Sequence, residues 1–118
     1  MVRVARDTSL DALLDLHGQI LVVDETGGHW VKVIAQRVPV TPERPHGLYY
    51  SLTLHDGSGE RLVGFDNAHA VRGSRTARKD HKHRLGTVKP YVYEDAATLL
   101  EDFWTEVDNV LRERGVIL

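Results

Sequence analysis

Asp66-Asn67-Ala68-His69 and Asp80-His81-Lys82-His83 place three of the chain's seven histidines within fifteen residues. In an extended segment side chains alternate sides, so His81 and His83 project the same way. Imidazoles titrate near neutrality. Two of them side by side can act as general base and general acid on a phosphodiester. One takes the proton of a ribose 2′-hydroxyl and the other protonates the leaving oxygen, which produces a 2′,3′-cyclic phosphate. Arg75, Arg78, Lys79, Lys82 and Arg84, from the same stretch, are the cations that would hold the phosphate and stabilise charge building on phosphorus. That reaction requires neither a metal nor a protein nucleophile. Asp66 has a supporting role open to it, accepting a ring N–H and so fixing a histidine tautomer.

Two other readings use the same residues. Asp66, His69, His81 and His83 could form a nitrogen/oxygen metal site, although a positive setting disfavours a divalent cation and no second carboxylate is local. Alternatively the histidines simply face solvent on a charged loop.

The charge distribution sharpens the first reading. Residues 72–89 hold seven basic side chains and the single acid Asp80, a local charge of +6 within a chain of net charge −2. A basic stripe on an acidic body is the electrostatic footprint of a polyanion site. With 42% apolar and 27% charged residues over 118 positions, the composition is that of one soluble globular domain, residues 1–118. The absence of cysteine excludes disulfides, thiolate metal sites and a cysteine nucleophile. No apolar signal-peptide run opens the chain and no segment is long enough to cross a bilayer, so the expected setting is the cytoplasm, away from the membrane.

The elements that must position these groups follow from hydropathy patterning. Ser9 is the expected N-cap of a short helix, Leu10 to His17, closed by Gly18. Ile20 to Val23 is a continuous apolar run of the kind that a strand buried on both faces requires. Residues 24–28 form a turn, and His29 to Val38 alternates as a second strand before Pro39, Pro42 and Pro45. Leu48 to His55 sends Leu48, Tyr50, Leu52 and Leu54 one way and Tyr49, Ser51, Thr53 and His55 the other. Asp56-Gly57-Ser58-Gly59-Glu60 connects it to a return strand, Arg61 to Phe65. Val88 to Tyr93 reads as a further strand. Leu99, Leu100, Phe103, Trp104, Val107, Val110 and Leu111 make one apolar stripe on a helix from Asp95 to Arg114, with Glu101, Asp102, Glu106 and Asp108 on its wet face. The fold class is therefore α+β, a single domain in which an antiparallel sheet carries a long C-terminal amphipathic helix on one face.

Other candidates are weaker. His17 and His55 suit structural or surface roles, and His29 and His46 stand in turns. Tyr49, Tyr91 and Tyr93 could stack on bases, but packing explains them better. Gly27-Gly28 precedes a strand rather than a helix, so no phosphate-cradling loop is present. A serine nucleophile elbow is absent as well.

Tyr50 to Leu54, Asp56, Gly59, Arg61-Leu62, Asp66-Asn67-Ala68-His69, His81-x-His83-x-x-Gly86 and the ending Leu99 to Trp104 resemble the TumE family of bacterial toxin–antitoxin toxins, over about residues 46–111. The resemblance implies a small growth-inhibiting toxin neutralised by a helix-turn-helix antitoxin, with Asp66, Asn67, His69, His81 and His83 as motif positions and RNA as the suspected target. The chain departs from relatives that read Asp-Asn-Ala-Pro-His-His, since here His69 follows Ala68 directly, and its segment from Val71 to Lys79 is longer and more basic.

Two functions are thus set against each other. The first is an endoribonuclease toxin using Asp66, His69, His81 and His83 without metal or other cofactor. The second is a non-catalytic module whose basic segment 72–89 docks on nucleic acid or on the antitoxin. The tryptophan-bearing C-terminal helix could also contribute to a homodimer.

Overall fold

The computed structural model describes residues 8–67 and 80–117. Helix α1 (Thr8–Asp15) leads into six strands, β1 (Ile20–Asp24), β2 (His29–Arg37), β3 (Leu48–His55), β4 (Arg61–Asp66), β5 (His81–Arg84) and β6 (Thr87–Pro90), and helix α2 (Ala96–Glu113) follows. The strands form one sheet in chain order, every neighbouring pair antiparallel. Neighbours in the sheet are therefore neighbours in the sequence, as a chain of alternating strands and turn residues favours.

Strand alternation sorts the side chains onto two unlike faces. Val31, Val33 and Ala35 of β2 stand opposite Leu54, Leu52 and Tyr50 of β3, and Leu52 and Leu54 stand opposite Phe65 and Val63 of β4. All are buried, and they meet Leu13 of α1 and Ala96, Leu99, Phe103, Val107, Val110 and Leu111 of α2 in one core. Burying this many large apolar side chains, each contributing about 1.5–3 kcal/mol, is the main force holding both helices to the sheet. Phe103 meets Phe65 edge-on, 6.0 Å between ring centroids, while Trp104 flanks the core half-buried. The expected assignment of both aromatics to the core is what the packing gives.

The long helix starts and stops where the sequence says it should. Asp95 caps it by accepting from Thr98 N at 2.7 Å. Gly115, at φ 75°, takes the left-handed conformation that closes a helix, and Val116 N then reaches back to Leu111 O at 2.8 Å. The acids expected to be solvated are partly engaged. Tyr91 OH donates to Asp102 at 2.7 Å, and Glu106 faces β5. Tyr91 and Tyr93 pack on Phe65 and Tyr50 rather than presenting open rings.

Several boundaries and environments differ from expectation. Thr8 and Ser9 are already helical in α1, so Ser9 lies within the helix instead of at its cap. Strand β1 is the sheet edge and not a strand buried on both faces: Ile20 and Val22 are 59% and 62% exposed. An apolar run alone cannot say whether a second layer covers it. His29, expected in a turn, is buried at the start of β2. Its Nδ1 lies 2.9 Å from Asp24 Oδ2, and its Nε2 accepts from Arg114 Nε at 3.2 Å, so it ties the β1–β2 turn to the end of α2. The expected strand Val88 to Tyr93 is shifted to Thr87–Pro90 and is one half of a hairpin whose other half is the histidine strand itself. No described helix is long and apolar enough to cross a membrane.

Candidate functional site

Cross-strand registration assembles the site. On the sheet face turned away from both described helices, Lys32, Thr53, Gly64, His83 and Val88 form one row across β2 to β6. Ile34, Ser51, Asp66, His81 and Pro90 form the next. His81 and His83 do share a face, as alternation requires, with ring centroids 6.2 Å apart. Asp66 stands directly opposite His81, yet its Oδ2 lies 3.0 Å from Nε2 of His83. A diagonal neighbour across an antiparallel ladder is within reach of a side chain as long as histidine's.

This contact assigns the ring. Its Nε2–H donates to the carboxylate, which leaves Nδ1 as the basic nitrogen when the imidazole is neutral. Nδ1 is shielded from solvent and makes no hydrogen bond among the described residues. Burial lowers the His83 pKa below the ordinary 6.5, helped by the Arg61 and His81 charges and opposed by Asp66. His83 is therefore held neutral, in the form that can accept a proton.

Arg61 is the site residue that sequence reasoning missed. Leu54 pairs with Val63 but His55 pairs with Arg61, so Leu62 is an extra residue in β4. That bulge lets Leu62 and Val63 both enter the core, and it turns Arg61 onto the histidine face. The Arg61 side chain then lies over Gly64. A Cβ on Gly64 would stand 3.3 Å from Arg61 Cδ, 3.6 Å from its Nε and 3.6 Å from His83 Cδ2. The missing side chain at Gly64 is what lets the two rest side by side. Arg61 makes no ion pair with any described residue. A guanidinium with no ion pair among the described residues, beside a neutral imidazole, is suited to a phosphate oxygen.

The remaining motif positions divide between the two faces and the core. Asn67 is buried, and its amide completes the ladder where backbone pairing ends: Oδ1 accepts from Tyr50 N at 3.0 Å and Nδ2 donates to Leu48 O at 2.6 Å. Its role is to fix the end of the strand that bears Asp66. Asp80, next to His81, accepts from the buried Tyr50 OH at 2.6 Å, and burial together with this carboxylate raises the phenol far above its usual pKa. Lys82 and Arg84 lie on the opposite face from the histidines. Lys82 Nζ is 3.3 Å from Glu106, and Arg84 pairs with both Glu106 and Glu113. These two cations therefore do not surround the histidine pair. His69, Arg75, Arg78 and Lys79 lie outside the described residues. Among the described residues no three histidine or carboxylate groups converge as a metal site would require.

This face, which no described helix covers, thus offers a neutral histidine oriented by a carboxylate, a second imidazole on the same strand that is itself buried at 7% exposure, and an arginine alongside. No curated protein and no solved structure matches the chain. The family model described as Toxin TumE matches residues 11–111, a span that takes in β1 to β6 with this face and nearly all of α2. With well over half of its length matched, the chain belongs to the TumE toxin family.

Proposed function

We propose that this toxin acts by cutting RNA, with His83 as general base, Asp66 orienting it, His81 as general acid and Arg61 steadying the phosphate. The observation that carries the reading is the 3.0 Å contact from Asp66 to His83 beside His81 on a sheet face that no described helix covers. The shielded Nδ1 of His83 must open to the bound RNA, where it takes the proton of a ribose 2′-hydroxyl as that oxygen bonds to phosphorus. The bond from phosphorus to the 5′-oxygen breaks, and His81 protonates that oxygen. The products are a 2′,3′-cyclic phosphate and a 5′-hydroxyl end. Positioned acid–base groups of this kind contribute roughly 10²–10⁴ in rate.

An antitoxin partner follows from the toxin family. That it is a helix-turn-helix protein, that the toxin works in the cytoplasm and that it pairs with a second copy are parts of the same proposal. His69 belongs to it too as a motif position, with Arg75, Arg78 and Lys79 as further phosphate contacts.

The test is purified protein on a defined single-stranded RNA with EDTA present. Cleavage ending in a 2′,3′-cyclic phosphate is expected, reduced at least 10²-fold by His83→Ala or His81→Ala. Cleavage that stops on chelation, or that persists undiminished in either variant, overturns it.

A further inference from the structure

The β5–β6 hairpin has chemistry on both sides. One side bears His81 and His83. The other closes a cleft of about 360 Å³ against α2, lined by Lys82, Arg84, Leu85, Thr87, Lys89 and Glu106. Three cations face one carboxylate in it. Lys82 and Lys89 stand directly opposite each other across the ladder, an arrangement that repels. Glu106 answers Lys82 and Arg84. Lys89 is exposed and has no ion pair among the described residues.

The tip of the hairpin points the same way. Leu85 is 55% exposed and takes φ 48°, a left-handed conformation that two-residue hairpin turns give by preference to Asn or Gly. A leucine there is costly to the fold, and its side chain forms one wall of the cleft. Because β6 is the sheet edge, only one strand separates the histidine row from the rim over which this cleft opens.

We propose that this cleft is a backbone-binding subsite for single-stranded RNA, in which Lys89, Lys82 and Arg84 hold a phosphodiester while Leu85 packs against the adjoining sugar or base. The strand bends over the β6 edge, so that one phosphate lies in the cleft and another reaches the histidine face. Glu106 keeps Lys82 and Arg84 in place and competes with the phosphate for them. This inference rests on the RNA-cutting reading but concerns binding, so the two are separable by experiment.

The probe is a 2′-O-methyl RNA oligonucleotide, which has no 2′-hydroxyl to attack and stays intact. Its affinity is measured against salt for the full chain and its variants. Lys89→Glu is expected to weaken binding about tenfold or more, and Lys89→Ala to lower the salt slope by about 0.7. Glu106→Gln should tighten binding, and Leu85→Asn should weaken it while the protein stays folded. The His81→Ala/His83→Ala double variant should bind within about twofold of wild type. On cleavable RNA, Lys89→Ala should raise KM and leave kcat unchanged. Unchanged affinity and slope in Lys89→Glu overturn the subsite, and so does an effect of Lys89→Glu on an acidic protein partner alone. Inactive histidine variants with an unaffected Lys89→Glu would remove the subsite and keep the cleavage reading. Fully active histidine variants with a weakened Lys89→Glu would do the reverse.

Discussion

Asp66 faces His81 across the β4–β5 ladder but bonds to His83, two residues further along the strand, at 3.0 Å. One carboxylate thereby sets the orientation of one imidazole and lies next to the other. Neither histidine is on a free loop: both sit in a paired strand between β4 and the edge strand β6. The pair is pre-positioned, and removing conformational freedom before the reaction is a large part of what an active site supplies.

Asp66→Asn tests that relationship. The amide can still hydrogen-bond, but it removes the charge and allows the ring to flip or take the other tautomer. RNA-cutting activity should fall by roughly 10²–10⁴, as general acid–base contributions do. The melting temperature should change by only a few degrees. The measurement is single-turnover cleavage alongside thermal unfolding.

The pH dependence follows from the direction of the His83 shift. Its folded-state pKa is depressed below 6.5, so the unfolded chain binds the proton more readily. Stability from this group is intact above about 6.5, the unfolded value, and is lost as pH falls through the folded value. Urea unfolding of wild type should show this acid-side loss, and His83→Gln should lack that part of it. In cleavage, the acid limb assigned to the base should lie below the ordinary histidine range.

Asn67→Ala should act on the fold rather than on the chemistry. It strips partners from Tyr50 N and Leu48 O, both in the buried β3 ladder. Leaving buried backbone groups unsatisfied costs about 1–3 kcal/mol each. A loss of about 2–4 kcal/mol in equilibrium unfolding is expected, with per-molecule activity retained at low temperature.

Leu85→Asn should move stability the other way. Leucine at φ 48° carries a steric penalty that asparagine largely escapes. A gain of up to about 1 kcal/mol in urea unfolding is expected.

Much of this architecture is written in local pattern. The apolar stripe from Leu99 to Leu111 and the alternation from Leu48 to His55 have periods that fix the buried face of each element. The shared face of His81 and His83 follows from the same alternation. That alternation also sends Lys82 and Arg84 to the far side, so grouping these two with the histidines joined side chains that stand on opposite faces of one strand. Arg61 was beyond reach for another reason. Its direction depends on the bulge at Leu62, and the bulge depends on how β3 and β4 register after packing. The role of Asn67 is equally non-local, because its partners lie 17 and 19 residues away. The burial of His29 needs Arg114 from the other end of the chain.

The most direct measurement is growth arrest by induced wild type against the His81→Ala/His83→Ala double variant, with both proteins confirmed as folded and equally abundant. Wild type should halt growth as cellular RNA is cut to ends bearing 2′,3′-cyclic phosphate, and the double variant should permit normal growth with RNA intact. Full arrest by the folded double variant would contradict the account.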